Sequence, residues 1–183
     1  MSMIEEFRKF VGFKVLEYFI LNPSQEIHLK ELSRRLKISP RSAKIYCDLL
    51  EKEEILISER KGNLRIFSLN NDSFAVKELK KTYYTVFLKE LGIENICKKC
   101  VSLAIYGSFA SGEFDEKSDL DLLVVGDTEN ADYELLHELE KKLQRHVQLT
   151  VIPSYRWEEM KKEGDKFVES IINNHILIKG ALL

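Results

Sequence analysis

Asp119 and Asp121 stand two residues apart at the head of an apolar run that continues to Val125. On a strand, side chains two apart share a face. The two carboxylates therefore project together, while Leu120, Leu122 and Val124 face the other way. Asp is disfavoured in strands, and like charges side by side repel unless a cation lies between them. A hard divalent cation with oxygen ligands, Mg2+ or in its place Mn2+, meets that need. Upstream, the apolar run from Val101 to Tyr106 ends in Gly107-Ser108, a turn where the backbone can approach a ligand closely. Its N–H groups and the Ser108 hydroxyl can donate to phosphate, and a helix beginning there would favour an anion further. Phosphate donors beside a metal-binding carboxylate pair suit a nucleoside triphosphate.

Gly107-Ser108, ten intervening residues, then Asp119-x-Asp121 and an apolar run resembles the signature of the nucleotidyltransferase superfamily, the minimal nucleotidyltransferases most closely. The resemblance spans about residues 98 to 180. It implies that Gly107 and Ser108 hold the triphosphate and that Asp119 and Asp121 are the metal-binding, catalytic carboxylates. It also implies transfer of a nucleotidyl group to a hydroxyl acceptor: a protein tyrosine, a nucleic-acid end or a small molecule. Related minimal nucleotidyltransferases often act as antitoxins that modify a partner protein. Two positions depart from the pattern. The third carboxylate of the family falls at Gln148 when Val147–Val151 is aligned with the strand that carries it. Glutamine can coordinate through its carbonyl oxygen but cannot act as a base. Ser111 stands where related sequences often have a basic residue. Both departures weigh more heavily on catalysis than on nucleotide and metal binding.

The rest of the chain must position these residues. Its 183 residues suffice for one domain or two small ones, with the charged and apolar fractions of a soluble globular protein. No run approaches the roughly 18 apolar residues of a membrane span, and the start lacks the build of a signal peptide. A cytoplasmic protein with no membrane partner is the expectation. Net charge is −2, but unevenly spread: residues 1–70 hold 13 Lys+Arg against 10 Asp+Glu, residues 71–183 hold 15 against 20. A mildly basic front and an acidic back suit a nucleic-acid module joined to something else. Cys97-Lys-Lys-Cys100 has a metal-like spacing but no second ligand pair, so reduced, structural thiols are expected.

In the front, apolar residues from Phe7 to Leu21 follow helical spacing, and Asn22-Pro23-Ser24 stops them. A short extended Ile27–Leu29 leads into a second helix, Leu29–Leu36. Ser39-Pro40 opens a third that runs to about Glu53. Ile55–Ser58 and Leu64–Leu69 flank a basic turn, Glu59–Asn63, and read as a hairpin. Three helices and a hairpin over about residues 10 to 70 resemble a winged helix-turn-helix domain. Ala43, Cys47 and Leu50 form the core face of the third helix, with Tyr46 packed beside them. The resemblance implies that Arg41, Ser42 and Lys44 meet base edges in duplex DNA, and that Arg60, Lys61 and Arg65 meet phosphate. His28, at the entry to the second helix, is expected to take a surface or capping role rather than to bind metal.

Ser73–Leu91 is a long helical candidate ended by Gly92, with an apolar stripe that either pairs two chains in a homodimer or packs on its own domain. Behind the Asp-x-Asp strand come a loop (Gly126–Asn130), an amphipathic helix (Tyr133–Leu143), a strand (His146–Ile152), two further helical stretches and the apolar Ile176–Ile178. The expected fold class is α+β. A winged helix-turn-helix domain occupies residues 1–72, a linking helix 73–97, and a small α/β nucleotidyltransferase-fold domain 98–183. The expected function is Mg2+-dependent binding of a nucleoside triphosphate with nucleotidyl transfer, coupled to DNA binding. The alternative is a catalytically impaired DNA-binding regulator or antitoxin-like protein that uses the same fold for sensing or dimerisation.

Overall fold

The computed structural model describes residues 2–127 and 131–183, so residues 128–130 of the expected Gly126–Asn130 loop lie outside the described residues. The fold is mixed α+β and divides into two compact units, Met1–Tyr84 and Thr85–Leu183.

The first unit opens with two helices where apolar spacing suggests one: α1 (Met3–Phe7) and α2 (Val11–Leu21). Ser2 and Glu5 cap α1 reciprocally, each side chain accepting from the other's backbone N–H at 3.1 Å. The break at Arg8–Phe10 has an electrostatic reason. Arg8 donates from Nε to both carboxylate oxygens of buried Glu17, at 2.9 and 3.0 Å. In one continuous helix those residues would stand about 13.5 Å apart along the axis. The Tyr83 hydroxyl also donates to Glu17, at 2.7 Å.

β1 (Ile27–His28) and α3 (Leu29–Leu36) follow, with His28 Nδ1 capping α3 by accepting from the Glu31 N–H. Ser39 caps α4 (Pro40–Lys52) in the same way, accepting from Ser42 N–H at 3.0 Å. Next comes a hairpin of β2 (Leu56–Lys61) and β3 (Leu64–Leu69). Its turn is two residues, not five, because Lys61 pairs with Leu64 and Gly62 adopts φ +63°. Two-residue hairpins need such positive φ values. Arg60 and Lys61 therefore lie on the strand rather than in the turn. β1 adds to the other edge of β3, giving the order β1-β3-β2. Val15, Phe19, Leu32, Cys47, Leu56 and Phe67 make the core, with Tyr46 packed against it. α5 (Phe74–Glu90) spans the division between the units, and its Val76 belongs to this first core.

In the second unit a 3-10 turn (Ile93–Asn95) precedes β4 (Ser102–Tyr106), α6 (Gly107–Ser111) and β5 (Leu120–Val125). Then come α7 (Tyr133–Leu143), β6 (Val147–Ile152), α8 (Ser154–Glu163), α9 (Lys166–Asn173) and β7 (Ile176–Gly180). The sheet order is β6-β5-β4-β7; β4 runs antiparallel to β5 and β7, and β6 parallel to β5 through α7. Tyr106, Leu123, Val125 and Ile152 pack with Trp157, Val168 and Ile171 of α8 and α9. On the other face Leu103 and Val124 pack with Cys97. Both β4 and β5 are covered on both faces, which is why each reads as a continuous apolar run. Cys97 and Cys100 are free thiols. Among the described residues no helix is long and apolar enough to cross a membrane.

Candidate functional site

Every residue of β5 is buried except Asp121, which is half-buried. A carboxylate in a central strand is costly unless the site uses it. Three contacts define its position. In the antiparallel register it lies opposite Tyr106, the residue before Gly107. In the parallel register it lies opposite Gln148. Across the turn its Oδ2 lies where a Cβ of residue 107 would be, well inside contact distance. Gly107 also has φ +68°, a conformation that side chains rarely adopt. Two independent reasons thus require glycine there, and one of them is the carboxylate itself.

β5 begins at Leu120, so Asp119 precedes the strand and is exposed. Burial, and after it the charge of Asp119, push the Asp121 carboxyl above its ordinary value. Neither carboxylate has an ion pair among the described residues. The donors present are hard oxygens: two carboxylates and the exposed Gln148 amide alongside. They fit Mg2+ or Mn2+, which binds through one or two carboxylates and completes its shell with water and phosphate oxygens. Among the described residues no group of three or more His, Cys, Asp and Glu is placed to hold a metal. The ligand would have to bring the remaining oxygens.

Ser108 is half-buried, and its carbonyl accepts from the Glu113 N–H and the Ser111 hydroxyl. Ser111 therefore closes the α6 turn through its own hydroxyl. The helix behind Gly107 is only five residues long, too short to sum much of a dipole. The individual backbone N–H groups of the turn, which carries no side-chain cap, are what it offers an anion.

Arg145 is the residue that sequence spacing did not reveal. From the end of α7 its Nη1 donates to the carbonyls of Asp115 and Ser118, at 2.5 and 3.0 Å. Its guanidinium lies over the rings of Phe109 and Phe114, which stack at 4.2 Å. Phe109 belongs to α6 and Phe114 to the loop that delivers Asp119. Within that loop Asp115 Oδ1 accepts from the Lys117 N–H and the Ser118 hydroxyl, which hold its carboxyl below the usual range. Arg145 thus joins the Gly107-Ser108 turn to the loop that presents Asp119. About 30 residues separate it from that loop, so no local pattern could have shown it. A cleft of about 520 Å3 opens beside the turn, between α6 and α9.

The candidate DNA-contacting residues of the first unit have a different environment. Arg41 and Arg60 are exposed and make no ion pair among the described residues. Ser42 shares a hydrogen bond with Ser39 at the start of α4. Lys44 pairs with Asp48, and Lys61 with Glu26 and Glu59. Arg65 donates to Asp48 Oδ1 at 2.7 Å, to Glu51 and to Ser58 Oγ, and lies 4.6 Å over the Phe67 ring. It ties α4 to the hairpin. Arg41, Lys44 and Arg65 line a concavity of about 520 Å3 between α4 and the hairpin.

Residues 92–178 match the family described as nucleotidyltransferase domain, so the C-terminal part of the chain carries a nucleotidyltransferase-fold domain. Similar solved structures include a possible transcriptional regulator from Methanosarcina mazei Go1, at 18% identity over 50% of this chain and 81% of that one, TM-score 0.35. A variant of Lactococcus lactis ZitR is 21% identical over 44% of this chain and 56% of its own, TM-score 0.36. A toxin-antitoxin crystallised with AMP-PNP is 18% identical over 53% of this chain and 73% of that one, TM-score 0.35. No curated protein matches the chain.

Proposed function

We propose that the C-terminal unit binds a nucleoside triphosphate with Mg2+ and that the N-terminal unit, as a winged helix-turn-helix, binds duplex DNA. One observation carries the first half: Asp121, the one residue of its strand that is only half-buried, lies against Gly107 beside Asp119 with no counter-ion among the described residues. Gly107 admits the carboxylate and a phosphate to the same corner. The Ser108 hydroxyl and the turn N–H groups donate to phosphate oxygens. Asp119 and Asp121 would hold the metal, which when bound would neutralise phosphate charge and favour attack at phosphorus.

Nucleotidyl transfer would join an acceptor hydroxyl oxygen to the α-phosphorus and release pyrophosphate. The hydroxyl proton must then leave to a base. Gln148, opposite Asp121, cannot take it. This position favours the second reading, a nucleotide-responsive DNA-binding regulator in which transfer is slow. In the first unit, Arg41, Ser42 and Lys44 at the start of α4 suit base edges, and Arg60 and Lys61 suit phosphate. Exposed ion pairs such as those of Lys44 and Lys61 contribute little, so both side chains can turn to DNA. Arg65 serves the hairpin instead.

Incubating the full chain with labelled nucleoside triphosphates, Mg2+ and co-purified proteins tests this reading. Label should be retained only with metal and without covalent transfer, and Gln148→Asp should enlarge the Mg2+-induced shift in melting temperature. Rapid covalent labelling of a partner protein by the wild type would establish the enzyme instead. No metal-dependent retention would remove the site.

A further inference from the structure

Cys97 and Cys100 have no part in the Asp119–Asp121 corner, yet the fold brings them together and holds them there. The stretch they bound is pinned at both ends. The Asp132 N–H donates to the Ile96 carbonyl at 2.7 Å, and the Val101 N–H to the Val125 carbonyl at 2.8 Å. Between these anchors the Cys100 thiol turns back and donates to the Cys97 carbonyl at 3.5 Å. Both residues belong to one apolar cluster. Cys97 is fully buried with Leu103 and Val124, and Cys100, half-buried, packs against them and keeps the pair open to solvent. Both thiols are free.

Two thiols so placed can form a disulfide or share a metal. Burial, and after it the Cys97 thiol, push the Cys100 thiol up to about 11. A thiol that keeps its proton is a poor nucleophile, so oxidation is slow. A metal ion displaces the proton outright. The ligand count then selects the metal. Structural zinc takes four ligands, and iron–sulfur clusters are held by four cysteines. Among the described residues no third Cys, His, Asp or Glu joins the pair. Cu(I) is soft, favours thiolate and is satisfied by two sulfurs. Charge agrees with this choice. Two thiolates around one monovalent cation carry one net negative charge. Lys179 Nζ donates to the Cys97 and Lys98 carbonyls, at 3.3 and 3.5 Å, which sets an ammonium beside the pair.

We infer that Cys97 and Cys100 form a two-coordinate site for a soft monovalent cation, Cu(I). One Cu(I) replaces the two thiol protons, which leave to water, and both Cu–S bonds form with no change of oxidation state. The site is separate from the Mg2+ corner. Ser102 pairs with Val125 at one end of β4 and Tyr106 with Asp121 at the other, about 13 Å away along the strand. Soft sulfur and hard oxygen donors also sort the two cations. The test incubates the full chain, reduced and under nitrogen, with the coloured Cu(I)–bicinchoninate complex. The wild type should withdraw one Cu(I) per chain, and excess Mg2+ should not displace it. Loss of an outer partner of a metal ligand costs about 10–100-fold in affinity, so loss of a ligand itself should cost at least about a hundredfold. Cys100→Ser, at a half-buried position, should show that loss with an unchanged circular dichroism spectrum. Cys97→Ala, apolar within an apolar cluster, should show it too. No withdrawal by the wild type would overturn the assignment. So would equal withdrawal by the wild type and both variants, which would put the copper elsewhere. Zinc held as tightly as Cu(I) would overturn the two-coordinate site.

Discussion

The two units treat their charges in opposite ways. Around α4 and the hairpin, cations are matched by carboxylates of the same unit: Lys44 by Asp48, Lys61 by Glu26 and Glu59, Arg65 by Asp48 and Glu51. In the second unit Asp119 and Asp121 share a corner with no cation paired to them among the described residues, and burial and the charge of Asp119 raise the cost of charging Asp121. Charge satisfied internally costs little and reveals little, since exposed pairs form on any surface. Charge left unsatisfied in a half-buried position asks for something from outside. The second unit therefore points to its ligand through one corner. The first offers a concave, partly neutralised face lined by Lys30, Arg41, Lys44 and Arg65, of which Lys30 and Arg41 make no ion pair among the described residues.

The largest effect should come from closing the corner. Gly107→Ala strains a left-handed backbone by about 1–2 kcal/mol and drives a methyl group into the Asp121 carboxylate. Mg2+-dependent nucleotide affinity should fall about tenfold or more, as 1.4 kcal/mol is a factor of ten, while circular dichroism stays that of a folded protein. Unchanged affinity would show that Asp121 does not meet the ligand from beside Gly107.

Loosening the loop should come next. Arg145→Ala leaves the Asp115 and Ser118 carbonyls without their donor and should cost about 1–3 kcal/mol in urea denaturation. Nucleotide binding should weaken with it, because Asp119 follows Ser118 directly. Full stability and full affinity in this variant would mean that the loop holds its shape without the guanidinium.

The same comparison explains what could be read in advance. The Gly-Ser turn, the Asp-x-Asp pair and the apolar strands around them are local patterns. Side-chain alternation also set Gln148 on the face where the register puts it, opposite Asp121. Three features were not legible, each for a physical reason. Arg145 reaches its partners across tertiary space. The break between α1 and α2 follows from the Arg8–Glu17 pair, which overrides an unbroken apolar periodicity. The roles of the basic residues in the first unit depend on which carboxylates fold against them. Spacing alone makes Arg60 and Arg65 equivalent, whereas the structure leaves one exposed and ties the other to α4.

That last pair gives the smallest and sharpest test of the contrast. Arg65→Ala should lower the stability of the chain by about 1 kcal/mol after solvent screening and leave the salt dependence of DNA binding nearly unchanged. Arg60→Ala should do the reverse. Its stability should stay within about 0.5 kcal/mol of wild type, and its log-log salt slope should become shallower by about 0.9, one phosphate contact. If Arg65→Ala flattens the slope and Arg60→Ala does not, the assignment of the two arginines is inverted.

The central claim is that the unpaired carboxylates hold the metal that a nucleotide needs. Isothermal calorimetry of the full chain against ATP, with Mg2+ and with EDTA, tests it most directly when run beside the Asp119→Asn, Asp121→Asn double variant. The wild type should bind only with Mg2+, and the double variant, still folded, should show no Mg2+-dependent heat. Equal Mg2+-dependent affinity in the two proteins would contradict the claim.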